Sequence, residues 1–201
     1  MTGPLQLVAA AGLGLGLGIV TGMPLGVVNI AIVDAATAGN KRFAVSLGIG
    51  GALADSVHAA LAFAGVGHII TQHPEWTRIM AVVAAAMIVG YAVLAWHNRH
   101  RKREPGGNGL VTGLVLTLPN PGALAAWVAV AASIWPDISI ANALVLGAGV
   151  GFGSAAWFYL LATSVAKVRR DHPALRIVPR AALVVLVAIA ATGLVRAYYG
   201  V

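Results

Sequence analysis

Asp55 lies between Ala54 and Ser56 inside a run of apolar residues, and His58 follows three positions later. Residues three apart share one face of a helix, so a carboxylate and an imidazole stand together where little else is polar. Such a pair can pass a proton or hold a cation, or it can tie two helices together as a structural contact. A charge at the centre of a bilayer costs at least ~2.5–3.5 kcal/mol on insertion scales. In a membrane-embedded run, Asp55 must therefore face the protein interior or water. The expected role of Asp55 is proton coupling, with His58 beside it.

Two other apolar runs are interrupted by helix breakers, Thr21-Gly-Met-Pro24-Leu-Gly26 and Thr117-Leu-Pro119-Asn120-Pro121-Gly122. Proline removes a backbone donor and clashes with the preceding turn. In lipid the freed backbone groups must find partners or line a wet cavity. A broken helix also presents half-helix ends, and the positive N-terminal ends suit an anion. Asn29 and Asn120 fall just after or within these breaks. An amide both donates and accepts, which fits a zwitterionic ligand and fits capping of the broken end equally well. Ser154 and Trp157 are again three apart on one face. They are candidates to line a cavity opposite Asp55, although packing by small residues accounts for Ser154 as well.

The elements that position these residues follow from composition. The 201-residue chain is 59% hydrophobic and 9% charged, against about 25% charged in a soluble domain. Too few charges exist to cover a water-facing surface, and the mean hydropathy of +0.87 reads as lipid exposure. The absence of cysteine excludes disulfides, thiolate metal sites and thiol redox chemistry. Met1 to Leu7 lack the basic region of a cleavable signal, so the first segment is expected to be a permanent span.

Six spans of roughly 20 or more apolar residues are expected: Leu5–Ala38, Phe43–Ile70, Thr77–Trp96, Leu110–Ile134, Ile138–Ala166 and Ile177–Tyr199. The first is too long for one upright helix, which supports a break at Pro24. Eleven of the 13 basic residues fall in the loops after the first, third and fifth spans or, for Arg180, in the first turn of the span that follows; Arg78 and Arg196 are the exceptions. By the positive-inside rule these loops are cytoplasmic and both termini face outward. The net charge of +7 is thus an orientation signal, not a nucleic-acid patch. Asp34, near Lys41 and Arg42, reads as an interfacial charge. Trp76, Trp96, Trp135, Tyr198 and Tyr199 sit at span ends, as interfacial aromatics do. His97 and His100 read as solvated, whereas His68, His73 and Glu75 in an outer loop could sense acid or bind metal loosely.

A weak internal repeat aligns Gly18-Ile-Val-Thr-Gly-Met-Pro24 with Gly113-Leu-Val-Leu-Thr-Leu-Pro119, and Gly48 and Gly50 with Gly147 and Gly149. Each half holds three spans, an odd number, so the halves must be inverted, as in many secondary transporters. The expected fold is an all-α membrane protein of one domain, 1–201. It comprises two inverted three-helix repeats, about 1–100 and 108–201, with helices 1 and 4 broken. The run Gly12-Leu-Gly14-Leu-Gly16-Leu-Gly18 imitates a phosphate loop, but no strand precedes it and no Lys follows; close helix packing is the expected role. No HExxH, Gly-x-Ser-x-Gly or second mid-span carboxylate marks an enzyme.

At these residues the chain resembles the lysine-exporter (LysE) superfamily of bacterial transporters over essentially its whole length. The marks are the Gly/Pro break followed by Asn29, Gly50 with Asp55, Asn120-Pro121, and the run Ser154-Ala-Ala-Trp157-Phe158. The resemblance implies a proton-coupled amino-acid exporter of the inner membrane, a homodimer without cofactor. It further implies a substrate site near Pro24, Asn29, Asn120 and Pro121, with Asp55 in coupling. The first break reads Met23-Pro24-Leu25-Gly26 in place of the family's usual Pro-Gly-Pro or Gly-Pro-Asn, and Gly122-Ala-Leu-Ala-Ala follows the second. Both departures leave the substrate open. The alternative is export of a divalent metal, with Asp55, His58 and backbone carbonyls as ligands.

Overall fold

The computed structural model of the chain describes residues 3–23, 26–65, 73–97, 107–135 and 138–167, with isolated positions between 181 and 199. The described residues form seven helices: α1 (Pro4–Gly22), α2 (Val27–Thr37), α3 (Lys41–Phe63), α4 (Pro74–His97), α5 (Gly109–Thr117), α6 (Pro121–Ile134) and α7 (Ile140–Val165). Among them α1, α3 and α7 are each long and apolar enough to cross a membrane. The bent pair α5 and α6, turned by 69° at its break, passes the same test when taken together and would be a fourth as one broken span.

The first expected span is two helices, separated at residues 23–26 where the sequence holds its Gly and Pro. The fourth is likewise divided between Thr117 and Pro121. The second expected span ran to Ile70, but α3 stops at Phe63. Ala64 ends the helix and Gly65 turns left-handed at φ 81°, a conformation that glycine adopts at little cost. Hydropathy continues past this glycine, so the apolar run overstates the helix. Most of the expected sixth span lies outside the described residues. Its Tyr198 carries the Arg78 guanidinium of α4 over its ring, 5.8 Å from the centroid.

Helix ends are set locally. After α2, Gly39 takes a left-handed φ of 84°. The Gly39 amide then bonds to the Ala36 carbonyl and the Asn40 amide to Ala35, both at 3.0 Å; this six-residue closure is the usual helix stop at glycine. Asn40 immediately caps α3, its side chain accepting from the Phe43 amide at 3.1 Å. Asn108 caps α5 and Ser139 caps α7 in the same way. Large apolar side chains such as Leu5, Val8 and Phe152 are more than 70% exposed, an outer surface suited to lipid.

Glycines bring the spans together. A Cβ on Gly14 would collide with the Leu146 carbonyl, and one on Gly18 with the Val150 carbonyl. In return, Gly149 lies against Ala11 and Leu15, and Gly153 against Leu15 and Ile19. Residue numbers rise together along this contact, so α1 and α7 run in the same direction. The contact between α3 and α5 is of the same kind. Gly113 abuts the Leu47 carbonyl and the Gly51 amide, and Gly50 abuts the Leu110 carbonyl. By contrast α3 and α7 are antiparallel, with Gly48 against Phe158 and Gly147 against Ala60. Within the expected glycine run, Gly12 and Gly16 meet nothing, because spacing of four leaves only Gly14 and Gly18 on the packed face.

Gly18→Leu should therefore destabilise the protein by about 1–3 kcal/mol or more, as overpacking does. Gly16→Leu, one half-turn away, should leave stability within about 0.5 kcal/mol. Thermal unfolding of the two detergent-purified variants checks the contrast.

Candidate functional site

Each break leaves helical carbonyls without their usual amides, and specific side chains take those amides' place. At the first break the Asn29 amide nitrogen, on α2, donates to the Gly22 carbonyl at the end of α1 at 2.8 Å. The Asn29 oxygen accepts from the Trp157 indole N–H at 3.1 Å. Trp157 also covers Gly22, whose hypothetical Cβ would lie 3.1 Å from the indole ring. The Ser154 hydroxyl, fully buried, donates to the Gly18 carbonyl at 3.3 Å. The half-buried Asp55 carboxyl approaches the same Ser154 hydroxyl from α3. Asn29, Asp55, Ser154 and Trp157 therefore share one locality. Pro24 lies outside the described residues.

At the second break Pro119 has no N–H to return to Val115. Asn120 caps α6 instead, its oxygen accepting from the Gly122 amide at 3.0 Å and the Ala123 amide at 3.4 Å. Pro121 occupies the first turn of α6, where a missing N–H costs nothing. The Gly122 amide, which in a continuous helix would serve the Leu118 carbonyl, is thus occupied. His58 takes its place: its Nε2 is 3.0 Å from the Leu118 oxygen. A carbonyl only accepts, so Nε2 carries the hydrogen, and in the neutral ring Nδ1 is a bare acceptor. Nδ1 is buried and has no partner among the described residues.

The expected proton-sharing pair therefore divides. Asp55 and His58 are one turn apart on α3, but no hydrogen bond joins them, because His58 spends its donor on Leu118. Asp55 lies beside Ser154, one turn short of the first break, and His58 bonds at the second. Asn29 and Asn120 also differ. The first reaches back to close the end of the preceding helix, and the second opens the following one. Asp34 is buried, 8% exposed, and not the surface charge expected of an interfacial residue. Packing of α2 against α3 and α7 encloses it, which its closeness in sequence to Lys41 and Arg42 did not reveal.

Several participants were not singled out from the sequence. The Gly22 and Leu118 carbonyls are backbone groups and carry no residue signature. Thr117, buried, folds its hydroxyl back onto the Gly113 carbonyl at 2.9 Å. Asn142, 2% exposed, has a buried oxygen with no partner among the described residues. Its signal was available, as an amide in the first turn of an otherwise apolar span. Among the described residues no three His, Asp or Glu side chains are grouped to hold a metal.

Apolar helices able to cross a membrane, two of the spans interrupted and polar groups gathered at the interruptions, are the architecture expected of a membrane transporter. The sequence profile of the LysE type translocators matches residues 19–196, and the chain belongs to that family. It is a secondary transporter of small, amino-acid-like solutes and not an enzyme. No curated protein and no solved structure matches the chain.

Loss of the Asn29 side chain leaves the Gly22 carbonyl and the Trp157 N–H without these partners. Asn29→Ala should cost about 1–3 kcal/mol. Trp157→Phe should cost less, and the two should be non-additive by about 0.5 kcal/mol or more. A double-mutant cycle by thermal or denaturant unfolding measures the coupling; strict additivity would contradict the bond.

Proposed function

We propose that the chain exports an amino acid or similar small zwitterion from the cytoplasm, driven by proton influx through Asp55. The reading includes six spans in one domain, 1–201, folded as two inverted repeats. It further includes a homodimer in the bacterial cytoplasmic membrane with both termini outward. The observation that carries it is the placement of α3 between the two helix breaks, with Asp55 directed to one and His58 to the other.

The breaks offer unequal ends to a zwitterion. Asn120 already occupies the first amides of α6. Gly26, which precedes α2, has no side chain to cap that helix. The positive end of α2 is therefore the one to which we assign a substrate carboxylate. The amide nitrogen of Asn120 has no partner among the described residues and is a second donor for it. Asp55, within a turn of both breaks along α3, supplies the negative charge that an ammonium group or a proton can neutralise.

The glycine contacts support the inverted repeat. Gly14 and Gly18 meet Leu146 and Val150 as Gly109 and Gly113 meet Phe43 and Leu47. Gly153 meets Leu15 and Ile19 as Gly50 meets Leu110 and Leu114. Paired this way, Gly50 corresponds to Gly153, one helical turn beyond the Gly149 suggested by sequence alignment. The antiparallel course of α3 and α7 is what inversion requires.

In proteoliposomes loaded with a mixed amino-acid pool, Asp55→Asn should reduce gradient-driven flux by about tenfold or more. Substrate exchange without a proton gradient should persist. Undiminished gradient-driven flux would remove Asp55 from coupling, and loss of exchange as well would make it a substrate ligand instead.

A further inference from the structure

The N-terminal turns of α3 carry a feature that transport does not use. Lys41, Arg42, Val45, Ser46 and Ile49 line an open groove of about 380 Å³. Lys41 and Arg42 are exposed, and neither has an acidic partner among the described residues. The hydroxyl of Ser46, half-buried in the groove wall, makes no hydrogen bond among the described residues. Below these polar groups the wall turns apolar. Ile49, Leu53 and Val57, spaced four apart, are 43%, 46% and 43% exposed, so they form one outward stripe along α3. From Arg42 to Val57 the stripe descends about 22 Å at the helical rise.

We propose that this groove holds an anionic phospholipid, its phosphate between Lys41, Arg42 and Ser46 and an acyl chain along Val45, Ile49, Leu53 and Val57. The charge pattern selects this occupant. A soluble anion would use the cations and leave the apolar wall wet, whereas a zwitterionic lipid would bring its own headgroup cation against Lys41 and Arg42. A lipid with net negative charge satisfies both ends, and juxtamembrane Lys and Arg attract such lipids. Gly109 makes the groove's back wall continuous with the transport core. Its hypothetical Cβ would lie 2.6 Å from the Phe43 carbonyl and 3.0 Å from Ser46, so α5 packs directly behind the site.

Delipidated, detergent-purified full-length protein should retain phosphatidylglycerol in native mass spectrometry and gain several degrees in Tm from it. Phosphatidylcholine and glycerol 3-phosphate should do neither. The double variant Lys41→Gln/Arg42→Gln should bind phosphatidylglycerol about 30-fold more weakly, from the attraction expected of two cations. Because that variant also removes orientation charges, Ile49→Trp provides an independent arm: it fills the apolar wall, keeps both cations and should also weaken lipid binding. Equal stabilisation by the neutral lipid, or by glycerol 3-phosphate alone, would overturn the proposal. So would unaltered binding in both variants. A dimer that dissociates in Ile49→Trp, with lipid retention unchanged, would assign the groove to a second copy and overturn it too.

Discussion

In a hydrocarbon layer a backbone carbonyl that loses its helical amide has no water to turn to. The two interrupted spans create such carbonyls, and the placement of Asn29 and His58, both buried, follows from that. Gly22 is served by Asn29 and Leu118 by His58. Asn120 and Pro121 settle the opposite problem, the amides that begin α6. What resembles a set of ligands in the sequence is, at the level of bonds, a set of replacements for missing helix geometry. On the proposed reading, the interruptions so stabilised are where a polar solute would bind.

The helix α3 is where the two interruptions come under common influence. Its Asp55 approaches Ser154, which in turn holds the Gly18 carbonyl before the first break. One turn later His58 holds the last carbonyl before the second. A change in charge at Asp55 therefore acts on a hydrogen-bonded chain that ends at α1. Movement of α5 acts on the same helix through His58. On the proposed reading, this is the route by which proton and solute would be linked. Glycine contacts keep the route short: with Gly18 against Val150 and Gly113 against Leu47, backbones touch where side chains would otherwise separate them.

The charges make a separate contribution. With 13 basic and six acidic residues, the chain cannot neutralise itself, and most of the excess lies in three loops. Clustering of that kind orients a membrane protein, but at the start of α3 it also leaves two cations above an apolar, lipid-facing stripe. These are the two cations proposed to hold an anionic headgroup.

Hydropathy and the Gly/Pro interruptions are local properties. The sequence alone therefore located both breaks within a few residues, and it singled out Asp55, which is half-buried, while passing over Asp34, the buried acid. It also put Ser154 and Trp157 on one face of their helix, because three-residue spacing is local too, but not at the first break, where the structure brings them. The extent of α3 was misjudged, since an apolar run does not reveal that Gly65 turns left-handed. Which partner each polar group serves was decided only in three dimensions. His58 reaches a carbonyl 60 residues away, Trp157 an amide 128 residues away, and Ser154 a carbonyl 136 residues away. The division of Asp55 from His58, and the packing of Gly14 and Gly18 but not Gly12 and Gly16, depend on which helices are neighbours. Helix neighbours are set by backbone approach across the bundle, and no spacing within a single span encodes that.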